Sequence, residues 1–189
     1  MVYLRLAFPN LFNLKNISLF MRYWPFAVAG IILLILKLPL LAVAISQYLL
    51  SGFAELFPLI GMADVVFTAV TFIVSLLFTF GFALLGFEKR NFLLVGSSVA
   101  GVLVASLDFL VQLAGASSVV MIVLFTVLYA VLNILVGVAF FNLKIRGARS
   151  AGILSVLIGI SLVSFVLAPL ALFLSFPLLI VEISILFRA

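Results

Sequence analysis

Between Asp108 and Lys144 the chain reads FLVQLAGASSVVMIVLFTVLYAVLNILVGVAFFNL, thirty-five residues from Phe109 to Leu143 without a charge. A helix crosses a bilayer with about 20 apolar residues, so this run is too long for one span. The small polar group Gly115-Ala116-Ser117-Ser118 divides it and has the composition of a turn. The run therefore reads as the end of one spanning helix, a tight turn and the start of the next. A second uncharged run of thirty-two residues lies between Arg149 and Glu182.

The rest of the 189 residues agree with this reading. The chain is 68% hydrophobic and 8% charged, with a mean hydropathy of +1.59. Water-soluble domains are about 45–50% apolar and about 25% charged. The fold class expected is all-α: a polytopic bundle of about six transmembrane helices. The segments are Trp24–Leu50, Met62–Phe87, Phe92–Leu113, Val119–Leu143, Ala151–Leu167 and Leu170–Phe187. Their breaks are Ser51–Gly61 with Pro58, the charged turn Glu88–Asn91, the turn Gly115–Ser118, the basic loop Lys144–Arg149, and Pro169. The last break is the weakest. As one straight helix Ala151–Phe187 would be about 55 Å long, far beyond a hydrocarbon core of about 30 Å. Two short spans turning at Ala168–Pro169 fit better than one span followed by an interfacial piece.

Residues 1–23 are expected to form a cytoplasmic or interfacial lead-in, and residues 24–188 a single six-helix domain. Leu14, Ile17 and Met21 recur at helical spacing, as an interfacial helix requires. Ala42-Val43-Ala44 imitates a signal-peptidase site, but Lys37 interrupts the apolar stretch before it and a retained first helix is expected. With both ends in the cytoplasm, nine of the ten basic residues fall on the inner side, all except Lys37. That is the positive-inside bias, and it accounts for the high pI without nucleic acid. The location expected is the cell membrane, crossed several times.

Composition excludes chemistry. With no Cys there is no disulfide, thiolate nucleophile or Cys-ligated cluster. With no His there is no His-ligated metal and no Ser–His catalysis. No Gly-x-Ser-x-Gly or phosphate-binding loop is present. The expectation is a protein that is not an enzyme and needs no cofactor or metal.

Polar side chains within apolar spans are the functional candidates, because intramembrane ionisable groups usually face a partner or a cavity. Lys37 lies about 20 Å above the inner end of the first span and Asp108 about 24 Å above that of the third. They are expected to pair, either structurally or as part of a cavity wall. Gln112 stands one turn above Asp108, and Asn133 near the middle of the fourth span. Glu182 is near the inner end of the last span, where snorkelling beside Arg188 is expected. Lys37, Asp108, Gln112 and Asn133 are the candidates for a substrate or ion path. Pro39 frees the carbonyl of Ile35 close to Lys37.

Small residues at four-residue spacing mark candidate helix contacts, since close approach holds helices together in lipid. They are Ser97, Gly101 and Ala105 in the third span, and Ala151, Ser155 and Gly159, preceded by Gly147, in the fifth. Thr71, Ser75, Thr79 and Ala83 share a face of the second. Two functions are compatible with this pattern. One is a small transport protein, or the membrane-embedded substrate-binding component of a transporter, with a small-molecule or ion substrate. The other is a non-catalytic accessory or assembly subunit, with other membrane subunits as partners. The lipid bilayer is a partner of either, and nucleic acid of neither.

Overall fold

The structure, a computed structural model, describes residues 14–49, 60–116, 118–164 and 167–189. These form six α-helices: α1 Leu14–Leu49, α2 Ile60–Glu88, α3 Phe92–Leu113, α4 Val119–Phe141, α5 Ala148–Val163 and α6 Ala168–Arg188. No strand occurs among the described residues. Five helices are long and apolar enough to cross a membrane; α5 is a shorter apolar helix of 16 residues, about 24 Å long. The chain is a multi-pass integral membrane protein.

The helix ends differ from the expected segments where local chemistry intervenes. The interfacial turns expected around Leu14–Met21 and the first span are one continuous helix. Pro25 and Pro39 lie inside it, and each removes a single hydrogen bond, to the carbonyls of Met21 and Ile35. The fourth helix stops at Phe141, with Asn142 as its cap, two residues before the expected Leu143. The fifth begins at Ala148, directly after Gly147 in the left-handed region at φ 96°, and ends at Val163 instead of Leu167. The expected break near Pro169 is present. Ser164 Oγ accepts from the amide of Leu167 at 3.1 Å, and Pro169 stands in the first turn of α6, where its missing N–H costs nothing. Most of the expected Ser51–Gly61 break lies outside the described residues, as do Ser117 and the lead-in up to Asn13.

Each helix packs on its neighbours in sequence, and α6 returns to pack on α1, closing a ring. Across the ring α2 also touches α6. The outer surface is apolar, as lipid requires; Phe92, Val119 and Leu103 are exposed on it.

One end of the ring carries Arg22, Lys89, Arg90, Lys144, Arg146, Arg149 and Arg188. At this basic end the interior is closed by Tyr23, Leu85, Leu94 and Phe140, all fully buried. Phe82 stacks edge-on against Phe78 and Phe140, with ring centroids 5.3 and 5.4 Å apart. Polar bonds tie the helix ends below this plug. Glu88 accepts from Arg22 Nη1 at 3.0 Å and from the Tyr23 hydroxyl at 2.7 Å. Asn91 Oδ1 caps α3 by accepting from the Leu94 amide, while its Nδ2 donates to the Ala139 carbonyl at 2.8 Å. The exposed Arg22 pair contributes little in water, but the buried Tyr23 hydroxyl depends on its carboxylate. Glu88→Ala is expected to destabilise the protein by about 2 kcal/mol and Arg22→Ala by less than about 1 kcal/mol, as read from thermal unfolding in detergent.

The tightest helix contact joins α4 to α5. A Cβ on Gly152 would stand 2.8 Å from the Gly137 carbonyl, and one on Gly137 2.8 Å from the Gly152 carbonyl. Two turns on, a Cβ on Gly159 would meet the Ala130 carbonyl at 2.7 Å. Between them Ser155 Oγ donates to the Asn133 carbonyl at 2.7 Å. Ala151, Ser155 and Gly159 are thus buried on the face that α5 presents to the bundle. The stripe of the same spacing on α3 has other surroundings. A Cβ on Gly101 would meet nothing within 4 Å, and Ser97, Gly101 and Ala105 line open space inside the ring.

A polar cavity inside the ring

That space is a cavity of about 540 Å³, to which all six helices contribute. With the basic end drawn at the bottom, the aromatic plug is its floor. A second cavity of about 190 Å³ lies above it between α2, α3 and α4. Ser75, Ala105 and Tyr129 belong to the walls of both.

Among the described residues, Lys37 is the one cation lining the lower cavity and Glu182 the one anion. Their charges act on one another, but no ion pair joins them directly; the described ion pairs are both made by Glu88. Helix direction explains how residues at different heights come to face each other. Lys37 stands about 22 Å above Arg22, and Glu182 about 9 Å above Arg188. Side chains lean towards the N-terminus of their helix. On the rising α1 this carries Lys37 downward, and on the descending α6 it carries Glu182 upward.

The expected Lys37–Asp108 pair is therefore not formed. Asp108 belongs to the upper cavity, where its Oδ1 accepts from Gln112 Nε2 and its Oδ2 from the Tyr129 hydroxyl, both at 3.1 Å. Gln112 lines the same cavity, and Asn133 lines the lower one. Glu182, expected to reach towards Arg188, faces Lys37 instead. The four candidates fall two in each of two adjacent cavities, which share Ser75, Ala105 and Tyr129 as wall residues.

Sequence reading overlooked Tyr129 and the hydroxyls of the wall. Ser75 and Thr79 had only the shared face of α2 to mark them, and Tyr129 lies one turn before Asn133. Thr71 Oγ1, in the upper cavity, is buried without a hydrogen-bond partner, the one such side-chain atom among the described residues. No group of three or more metal-ligating side chains occurs among the described residues. Compared with protein-family models, curated proteins and solved structures, the chain matches none.

Proposed function

We propose that this integral membrane protein binds a small solute within its ring, as a small transport protein or as the substrate-binding component of a larger transporter. The observation that carries this reading is the cavity holding Lys37 and Glu182 without a direct ion pair. Its volume lies within the range of about 300–1,000 Å³ usual for small-molecule sites. Ionisable groups within apolar spans are expensive to retain and often mark a solute or ion path. On this reading the protein is non-catalytic, the basic end faces the cytoplasm of a cell membrane, and the solute enters from the opposite end past Gln112 and Asp108.

Native mass spectrometry of the full chain in the mildest detergent that preserves it tests the proposal. A reproducible small adduct on the protein alone supports it; an adduct-free protein contradicts it. Asp108→Asn, on the entry route in the upper cavity, is expected to slow adduct uptake about tenfold and to leave the final occupancy unchanged, since the solute rests below it. The melting of the empty protein should change little, because an asparagine oxygen still accepts one of the two hydrogen bonds. The accessory-subunit reading is favoured by one observation. Helix α4 leaves most of its apolar surface outward, beside an α5 shorter than a bilayer core. Co-purification with other polypeptides in fixed ratio decides for that reading.

A further inference from the structure

The wall of the lower cavity has a chemical bias beyond its two charges. Each serine or threonine hydroxyl proton of the wall whose bond is defined is used on the residue's own helix, and that of Tyr129 goes to Asp108. Ser75 donates to the Phe72 carbonyl at 2.8 Å, Thr79 to that of Ser75 at 2.8 Å, Ser97 to that of Leu94 at 3.2 Å, and Ser175 to that of Leu172 at 2.7 Å. The lone pairs of these oxygens are left for the cavity. With the Glu182 carboxylate, they make the wall rich in acceptors. Among the described residues of the wall, Lys37 is the one cationic donor. An occupant that satisfies such a wall brings several N–H donors with a positive charge, and one anionic group for Lys37. A neutral sugar would leave both charges unmatched, and an anion or a cation would leave one.

Resting on the solute-binding reading above, we propose that the lower cavity takes a small zwitterion, its anionic group at Lys37 and its ammonium at Glu182, among the acceptor oxygens of the wall. Free amino acids carry this chemistry, and so does the headgroup of phosphatidylethanolamine.

The test is calorimetric titration of the purified full chain with free L-amino acids, each beside its methyl ester and its N-acetyl derivative. Sugars, simple carboxylates and amines form a wider panel. The proposal expects saturable binding of at least one amino acid, weakened about 30-fold or more in both derivatives, because each leaves one buried charge unmatched. Binding that persists in nanodiscs of phosphatidylglycerol alone assigns the zwitterion to a free solute. Selective retention of phosphatidylethanolamine over phosphatidylglycerol, with no amino acid bound, assigns the same chemistry to a headgroup. Equal binding of a derivative and its parent overturns the ligand class, as does saturable binding of singly charged or neutral solutes alone; both leave the solute-binding reading in place. Absence of binding across the panel, with no lipid preference, overturns both.

Discussion

Replacing Lys37 and Glu182 together by leucine is expected to leave the empty protein at least as stable as the wild type, whereas Glu182→Leu alone destabilises it by about 3 kcal/mol. The single change leaves the Lys37 ammonium without the one anion that shares its cavity among the described residues, whose other groups there are hydroxyls, an amide and apolar side chains. The double change removes both desolvated charges, and such replacements are commonly neutral or stabilising by about 1–4 kcal/mol. A double-mutant cycle read by thermal or detergent-induced unfolding measures the coupling. Retention of solute binding by the double variant would detach the charges from the site. A strongly destabilised double variant would make the pair structural.

The second large effect belongs to the α4–α5 crossing. Gly152→Ala and Gly159→Ala are each expected to destabilise by about 2 kcal/mol, in the range of overpacked contacts. In both cases the added methyl meets a carbonyl oxygen of α4, at 2.8 and 2.7 Å, and also the side chain of Phe141 or Ile134. A flexible side chain could swing away, but a helix backbone moves only by separating the helices, which also lengthens the Ser155–Asn133 bond. Gly101→Ala is the control, with nothing within 4 Å of the new methyl and an expected change near zero or slightly stabilising. Equal losses at the three glycines would contradict the crossing as described.

The contrast between Gly101 and Gly159 marks where sequence reading stops. Both stand in stripes of small residues at four-residue spacing, and the periodicity is the same for a face against another helix and a face against a cavity. Only the return of α6 onto α1, which places a hollow at the centre, separates them. The number of helices and the break at Pro169 were legible, because hydropathy and turn residues act over a few positions. The partner of Lys37 was not. Depth counted along helix axes put Lys37 level with Asp108 and far above Glu182, but it ignored the opposite lean of side chains on antiparallel helices. Tyr129 was hidden for a related reason: a tyrosine in an apolar helix carries no mark of the side its hydroxyl occupies, and its bond to Asp108 exists only once α3 and α4 are packed. Asp108, Gln112, Asn133 and Lys37 stood out because polar groups are rare in such spans, and that rarity pointed to the interior without giving its arrangement.

The central claim, that the ring encloses a water-accessible polar cavity, is open to a direct measurement because the chain has no cysteine of its own. Thr79→Cys and Gly101→Cys place a thiol on the cavity wall; Leu77→Cys and Leu103→Cys place one two residues away on the same helices, on the exposed apolar surface. A charged, membrane-impermeant thiol reagent needs water and a thiolate to react. Labelling of the protein in lipid vesicles is predicted to be rapid at positions 79 and 101 and absent at 77 and 103. Four equally unreactive thiols would mean a dry bundle and would contradict the account.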